Sequence, residues 1–357
     1  MPVPLRPAAI AAALEQRVVG QRAAVREMAV ALAKRLADVG PSNILLIGSS
    51  GSGKTTLLLA VEEYLASHPE LRLPVARIHA NVLGEEAERG RPGESVLVRL
   101  LQRARELLGE DADTEAVLGA AEHGVVFVDE IDKIRSRVGG EPHLRGIRAQ
   151  EALLTLMEGE TIEMELPASL GGGSAAFDSA QLWFVGAGAF EGLYEAVYDR
   201  ITVGTDRGSL LPVTVVEAGG VRQETPFLLR NWLRLEDLFE YGMGPQFLSR
   251  FASTVLLDEL GEGELLRILL ERPEAGYQEA RRFFAAFGVE LALSPAAAQR
   301  IAAAAKLRRR IGARALREIF HRIVREQEFD PAGIAGGVLS IDVSEVEAAL
   351  GGDDRRR

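Results

Sequence analysis

The chain has 357 residues, of which 47% are hydrophobic and 26% are charged, and its formal net charge is −11. These values are typical of a globular protein with room for one large and one small domain. The acidic balance disfavours nonspecific binding to nucleic acid or anionic lipid, and the absence of cysteine excludes disulfides, thiolate catalysis and cysteine-ligated zinc.

The N-terminal residues 1–14 show neither the charged-then-apolar pattern of an export signal nor a stretch of about 20 apolar residues. We therefore expect a cytoplasmic protein with no membrane segment. The histidines have no ligand spacing and are assigned to no metal.

The first part of the chain alternates between amphipathic helical patterns and short apolar runs typical of buried strands. In chain order the pattern predicts a helix over 17–36, a strand over 43–47, a helix over 54–67, a strand over 75–80, a helix over 94–108, a strand over 125–128, a helix over 147–157 and a strand over 182–185. This alternation predicts an α/β fold with a mostly parallel sheet and helices on both faces. The glycine-containing stretches 166–178 and 204–225 are predicted to be loops.

Beyond residue 257 the character changes, because a helical pattern rich in alanine and arginine dominates residues 263–328 and one short apolar run follows at 338–343. The predicted organisation is a helical lead-in over 1–40, a large α/β domain over 41–256, a smaller and mainly helical domain over 257–350, and a disordered tail over 351–357.

Residues 48–55 read Gly-Ser-Ser-Gly-Ser-Gly-Lys-Thr, which is the P-loop (Walker A) pattern, and they lie between a predicted strand and a predicted helix. The glycines let backbone N–H groups surround phosphate oxygens at a helix N-terminus, Lys54 adds a positive charge, and the Thr55 hydroxyl can bind Mg²⁺. A glycine-rich strand-to-helix turn without a ligand is the alternative. The residues assigned to nucleotide binding here are Gly48, Ser50, Gly51, Ser52, Gly53, Lys54, Thr55 and Thr56.

A second motif follows the apolar run 125–128, where Asp129 and Glu130 stand at the carboxyl end of a predicted strand. This pattern resembles a Walker B motif, in which Asp129 would hold the Mg²⁺ shell and Glu130 would orient the attacking water. A solvated helix cap is the alternative. Two nearby residues, Asp132 and Lys133, are interpreted as a surface ion pair.

Three further features lie in motif-like settings. The turn 186–190 follows the predicted strand 182–185 and is small and apolar, so a packing turn and a role in sensing a γ-phosphate both stay open. Arg250 and Arg314 could each stabilise transition-state charge on a phosphate, and alone each could equally be a surface arginine.

Taken together, these motifs resemble the ClpX branch of the AAA+ ATPases in the Clp/HSP100 family, with HslU as the next nearest relative, from about residue 18 to residue 350. The resemblance is carried by the segments 18–21 (VVGQ), 42–48 (SNILLIG), 128–134 (VDEIDKI), 150–159 (QEALLTLMEG) and 188–190 (GAF), together with the P-loop.

The resemblance implies ATP and Mg²⁺ as cofactors, with Val19 on the adenine side and Asp129 binding the metal through water. It implies that Arg250 is an arginine finger and Arg314 a sensor 2 residue, both acting in catalysis with Glu130. It also implies a homohexameric ring that holds ATP at subunit interfaces and threads protein clients through its pore.

The chain departs from this family pattern at several places. The aromatic pore loop GYVG is replaced by Gly-Arg-Pro-Gly at 90–93, so Arg91 stands where an aromatic side chain would grip the client. The loop containing residues 171–174 lacks the basic RKH-type element, and no IGF tripeptide for docking a peptidase occurs between 198 and 235. Without the IGF tripeptide, a peptidase partner lacks support. The N-terminal zinc-binding module of the family is not found in this sequence either.

Three functions are compatible with these motifs. The leading hypothesis is an ATP-dependent protein unfoldase or remodelling ATPase. The second is a nucleotide-gated regulatory or assembly ring that does not thread substrates, which the altered pore loop favours. The third is a nucleic-acid motor, supported only by the basic stretch 306–310 and disfavoured by the acidic balance of the chain.

Overall fold

The computed structural model describes residues 6–37, 39–40, 42–203, 213–217, 220–224, 227–308 and 311–351. The helices are α1 (Pro7–Glu15), α2 (Arg22–Leu36), α3 (Lys54–Ala66), α4 (Ala80–Glu88), α5 (Glu94–Leu108), α6 (Thr114–Glu122), α7 (Leu144–Met157), α8 (Leu193–Thr202), α9 (Leu229–Trp232), α10 (Leu235–Tyr241), α11 (Pro245–Leu248), α12 (Glu262–Glu271), α13 (Gly276–Ala286), α14 (Pro295–Leu307), α15 (Arg314–Phe329) and α16 (Val343–Gly351). The strands are β1 (Ile44–Ile47), β2 (Val75–His79), β3 (Val125–Asp129), β4 (Arg137–Val138), β5 (Glu141–Pro142), β6 (Thr161–Glu165), β7 (Ser174–Asp178), β8 (Trp183–Gly188), β9 (Val213–Glu217), β10 (Gly220–Glu224), β11 (Ser253–Leu256), β12 (Glu290–Leu293) and β13 (Val338–Ile341).

The chain divides into two compact units. The sheet unit comprises residues 34–47 and 65–256, and the helical unit comprises residues 1–33, 48–64 and 257–357. The N-terminal segment and the P-loop therefore group with the C-terminal helices, although they are far from them in sequence.

The sheet unit is built on five parallel strands in the order β11-β1-β8-β3-β2. Strands β1, β3 and β8 are buried along their whole length, because strands covered on both faces bury every side chain rather than alternate ones. In the sheet, Ile47 lies beside Gly188, and Ala187 lies beside Asp129, so the carboxyl ends of β1, β8 and β3 form one edge. The predicted α/β fold with a parallel sheet and flanking helices is confirmed.

Helix α5 illustrates how the helices cover this sheet. It has the bounds that the sequence predicts, and its apolar residues recur at helical spacing, so they share one face. That face is fully buried and packs into the core of the sheet unit through Val96, Leu97, Leu100, Leu101 and Ala104.

The helical unit has its own core, formed by one face of each of the helices α12 to α16 and by a parallel pair of short strands, β12 and β13. Its largest buried side chains include Phe284 and Phe320, both at 1% exposure or less. The short apolar run predicted at 338–343 is strand β13, and its partner β12 was not anticipated from the sequence.

Two predicted elements differ from the structure. The helix predicted over 17–36 begins only at Arg22, because Gly20 adopts a positive φ of 78° that a right-handed helix cannot include. The stretch 166–178, predicted to be a loop, contains strand β7, which pairs antiparallel with β6 and turns the side chain of Phe177 into the core.

Two other predicted segments fall largely or partly outside the described residues. Within the stretch 204–225, only residues 213–217 and 220–224 are described, and they form the antiparallel pair β9–β10. The predicted tail lies outside the described residues apart from Gly351. Among the residues that are described, no helix is both long and apolar enough to span a membrane.

Candidate functional site

The P-loop occupies residues 48–55, directly after β1 in the chain and at the start of α3. Gly51 and Gly53 have positive φ angles of 74° and 105°, which a residue with a Cβ adopts only with strain. A Cβ at Gly51 would lie 2.2 Å from the backbone oxygen of Ile311. Glycine is therefore required at this position both by the backbone conformation and by the closeness of a second loop.

Lys54 is the first residue of α3, and its side chain is buried at 9% exposure. Its ammonium donates to the backbone carbonyl oxygens of Gly48 and Ser49, with the Ser49 bond at 2.9 Å. The first turn of a helix presents N–H groups without intrahelical partners and a partial positive charge. The loop therefore combines a lysine ammonium with a helix N-terminus, and this combination suits a polyphosphate.

Arg314, at the start of α15, reaches the same loop. Its Nη1 donates to the Ser50 hydroxyl at 2.9 Å, and the backbone N–H of Ala313 donates to the carbonyl oxygen of Gly51 at 3.2 Å. The structure thus brings Arg314 to the P-loop, although 264 residues separate Arg314 from Ser50.

The N-terminal segment contributes a residue that the sequence analysis did not assign to the site. Gln21, at 3% exposure, donates from Nε2 to the carbonyl oxygens of Ser52 and Asp258, and its Oε1 accepts from the Asp258 N–H at 2.9 Å. Val19, predicted on the adenine side, is buried at 7% exposure. Gln21 therefore supports the main chain of the P-loop. The only feature of the sequence that could have indicated this role is that Gln21 belongs to the family-like segment 18–21.

The second motif stands at the end of β3, where Asp129 is buried at 9% exposure. Its Oδ1 accepts from the N–H of Glu130 at 3.0 Å, and its Oδ2 lies 3.1 Å from Nη2 of Arg77 on β2. Glu130 is exposed and has a φ of 56°, a left-handed conformation that costs about 1 kcal/mol or more in a residue other than glycine. The turn after β3 therefore holds the Glu130 carboxylate at the surface while the Asp129 carboxylate stays fixed.

The predicted ion pair between Asp132 and Lys133 is present, but only Lys133 is exposed, so it is not a surface pair on the Asp132 side. Asp132 is buried at 1% exposure, and its Oδ2 lies 3.8 Å from the Lys133 ammonium. Its Oδ1 accepts from the N–H of Ala189 at 3.1 Å. Asp132 thus connects the turn after β3 to the turn after β8. The pKa of Tyr241 is raised to about 12, mainly because the Tyr241 side chain is partly buried and to a smaller extent because of the negative charge of Asp132.

The turn after β8 is closely packed. A Cβ at Gly186 would lie 2.6 Å from Cδ1 of Ile131, and a Cβ at Gly188 would lie 2.7 Å from Oδ1 of Asp132. Phe190 has a φ of 51° and packs against the ring of Tyr241 at a centroid distance of 5.2 Å. The contacts favour the packing interpretation of this turn over a side chain that senses phosphate.

Arg250 lies between α11 and β11, within the sheet unit. Its side chain is 41% exposed, and its Nη2 lies 2.5 Å from Oε1 of Glu158 at the end of α7. Its backbone carbonyl oxygen accepts from Nδ2 of Asn43 at 3.0 Å, which fixes the main chain of Arg250 beside β1. Arg250 is thus a surface residue of the sheet unit with an ion-pair partner in the same chain.

The loop 90–93 joins α4 and α5, and its Arg91 is 59% exposed on the side chain. The Arg91 guanidinium lies 2.9 Å from the carboxylate of Glu94, three residues later. The loop therefore presents a paired arginine at the surface in place of an aromatic ring.

Comparisons with known proteins show the family of the chain. The model of the ATPase family associated with various cellular activities (AAA) matches residues 44–203, which include the P-loop and Asp129. The ATP-dependent Clp protease ATP-binding subunit ClpX 3 of Methylococcus capsulatus is 32% identical over 347 residues, which cover 89% of this chain and 74% of that protein. The corresponding subunit ClpX of Azotobacter vinelandii is 30% identical over 339 residues, covering 89% of this chain and 72% of that protein. With this identity over most of its length, the chain belongs to the ClpX-like family of AAA+ ATPases.

Proposed function

We propose that this chain binds ATP on the P-loop and hydrolyses it with Glu130 as the residue that positions the attacking water. Phosphoryl transfer needs little covalent chemistry from the protein and depends on positioning and on charge stabilisation. In this proposal Lys54 and the N–H groups of residues 50–56 bind the phosphates, and Arg314 stabilises charge on the γ-phosphate.

The observation that carries the proposal is the hydrogen bond from Arg314 to Ser50 at 2.9 Å. It connects a cation on α15 directly to the loop that would hold the phosphates. A nucleotide that gains or loses its γ-phosphate would change the charge that Arg314 meets, and α15 would respond. Such a response is what a motor needs in order to convert hydrolysis into movement.

The residues present also fit Mg²⁺. Magnesium keeps most of its water shell and prefers oxygen ligands from one or two protein groups together with phosphate oxygens. The Thr55 hydroxyl and the Asp129 carboxylate, the latter through water, would hold the ion. When bound, Mg²⁺ would neutralise charge on the phosphate oxygens.

The proposed work of the ATPase is the unfolding or remodelling of protein clients by a homohexameric ring in the cytoplasm. The two relatives are ATP-binding subunits of a Clp protease by name, and the similarity supports the same kind of assembly here. In a ring, Arg250 would exchange its partner Glu158 for the γ-phosphate held by a neighbouring subunit. A peptidase partner is not part of the proposal, because no IGF tripeptide occurs between 198 and 235.

The loop 90–93 favours one other candidate function, a regulatory or assembly ring that changes shape with nucleotide and threads nothing. The Arg91 guanidinium is paired with Glu94 and has no ring with which to wedge against an apolar client side chain. A tagged folded protein separates the two functions, since only an unfoldase removes its native fluorescence when ATP is hydrolysed.

The first test compares two variants of the site. We expect Glu130→Gln to bind ATP like the unmodified protein and to lose hydrolysis by roughly a hundredfold or more, because the water is no longer oriented. We expect Lys54→Ala to weaken ATP binding itself, because the buried ammonium is removed from the loop. Equilibrium binding of a fluorescent ATP analogue and steady-state phosphate release measure the two effects separately.

Glu151→Gln is a matched control, since Glu151 is an exposed carboxylate on α7 and is not part of the proposed site. It should leave both measurements unchanged. Normal ATP hydrolysis by the Glu130 variant would show that Glu130 does not position the attacking water. Normal ATP binding by the Lys54 variant would show that the P-loop is not the phosphate-binding site.

A further inference from the structure

Arg77 gives the Asp129 carboxylate a cationic partner from within the chain. Arg77 lies on β2 opposite Phe127, and Asp129 is two residues further along β3 on the same face. The Arg77 guanidinium lies 3.1 Å from Asp129, and their side chains are 30% and 12% exposed. A partly buried ion pair is screened less by solvent and salt than a surface pair.

Both carboxylate oxygens of Asp129 are engaged in this arrangement. Oδ2 faces the Arg77 guanidinium, and Oδ1 accepts the N–H of Glu130. The main chain of Arg77 has a further contact, because its carbonyl oxygen accepts from Nη1 of Arg99 on α5. The guanidinium is therefore attached to an edge strand that pairs with β3 and has this further contact to α5.

We propose that Arg77 competes with Mg²⁺ for Asp129 and so sets the Mg²⁺ concentration that nucleotide binding requires. This inference rests on the proposed function, in which Asp129 holds the Mg²⁺ shell. If Arg77 stays in place when the ion arrives, a guanidinium and a divalent cation repel each other across one carboxylate. If Arg77 moves away, the ion pair with Asp129 is lost. In both cases Mg²⁺ binds more weakly than it would beside a neutral residue.

A purely positioning role for Arg77 predicts the opposite result. An arginine that only holds the Asp129 carboxylate in position would pre-organise the site for the ion. Removing that arginine would weaken Mg²⁺ binding instead of strengthening it. The direction of the change therefore decides between competition and support.

The experiment measures the affinity of the full chain for a fluorescent ADP analogue as free Mg²⁺ is raised from an EDTA-buffered baseline to several millimolar. We expect Arg77→Met to lower the Mg²⁺ concentration at half effect by roughly tenfold, while affinity in EDTA changes less than about twofold. Arg77→Lys keeps the charge and should stay close to the unmodified protein. Arg77→Gln provides a second neutral variant if the Met variant does not fold.

Arg103→Met is the matched control, because it removes an arginine from the exposed face of α5, where the Arg103 guanidinium lies 2.6 Å from the Glu106 carboxylate. It should leave the Mg²⁺ midpoint unchanged. The competition is overturned if the Mg²⁺ concentration at half effect is unchanged or higher in Arg77→Met or Arg77→Gln. It is also overturned if the nucleotide affinity of the unmodified chain does not change with Mg²⁺. If the unmodified chain binds no nucleotide under any condition, the proposed function fails as well.

Discussion

A comparison of Gly51 with Gly90 separates the cost of backbone strain from the cost of a steric clash. Gly51 and Gly90 have nearly equal φ angles of 74° and 75°, but only Gly51 faces a second loop, with the Ile311 oxygen 2.2 Å from the position that a Cβ would take. We expect Gly90→Ala to cost about 1 kcal/mol from φ alone. We expect Gly51→Ala to cost more, because the loop at Ile311 must move, and to weaken ATP binding.

Urea unfolding and binding of the fluorescent ATP analogue measure the two effects on the same samples. Gly90→Ala is the control, since nothing lies within 4 Å of its added methyl group. Equal losses of stability in the two variants, with ATP binding intact in both, would show that the close approach of the Ile311 loop has no energetic importance.

At the scale of single residues, what the sequence could predict depended on how local the signal was. Lys54 and Asp129 belong to short motifs beside recognisable strands, and each was found from its immediate neighbours. The partners of these residues were not found, because Arg77 meets Asp129 across 52 positions and Gln21 meets Ser52 across 31. Nothing in the neighbourhood of Asp132 indicates burial either, since its environment is made by the turn after β8.

At the scale of elements, α8 and α10 share apolar core residues and are also joined by a buried ion pair. Arg200 on α8 binds Asp237 on α10 through Nε at 2.8 Å and Nη2 at 2.9 Å, and the two side chains are 16% and 6% exposed. Asp237 also accepts from the N–H of Arg234 at the start of α10. The Asp237 carboxylate therefore caps the N-terminus of α10 and also binds α10 to α8.

We expect Asp237→Ala to destabilise the protein by about 3 kcal/mol, because it leaves a largely buried guanidinium without its carboxylate and removes a helix cap. Urea unfolding followed by circular dichroism measures the loss. Glu88→Ala is the control, since it breaks a two-bond pair with Arg145 that joins α4 and α7 at the surface. The Glu88 variant should unfold at nearly the same urea concentration, and an equally small effect in Asp237→Ala would contradict the argument from burial.

Helices and strands could be predicted where their apolar residues recur at a clear helical or strand spacing. Helix α5 buries a continuous apolar face, and its bounds follow from that pattern alone. Strand β7 was missed because its burial is limited to single positions such as Phe177 and because the glycines before it indicated a loop. Strand β12 was missed because it is four residues long and continues directly into the helical pattern of α14. Short strands take their identity from a partner, and the partner β13 is far away along the chain.

At the scale of the whole molecule, the proposed ring makes hydrolysis a property of the assembly instead of the single chain. Arg250 is 41% exposed and pairs with Glu158 in its own sheet unit, so within one chain it neutralises a carboxylate. An exposed arginine of this kind can reach a phosphate on another subunit without disturbing the core. The proposal therefore places two essential groups, Glu130 and Arg250, in different subunits of each active site.

This arrangement predicts complementation between two inactive variants. Arg250→Ala should bind ATP normally and hydrolyse it poorly, and Glu130→Gln should do the same for a different reason. In a mixed ring, an interface formed by an intact Glu130 from one variant and an intact Arg250 from the other contains both groups, so mixing should restore part of the activity. Steady-state phosphate release across mixing ratios, with mass photometry to confirm that mixed assemblies form, measures the recovery. The control is Arg103→Ala, which should remain fully active at all mixing ratios because Arg103 is exposed on α5 and lies outside the proposed chemistry. A mixture of the two inactive variants that forms rings but stays inactive at every ratio would place Arg250 outside the neighbouring active site.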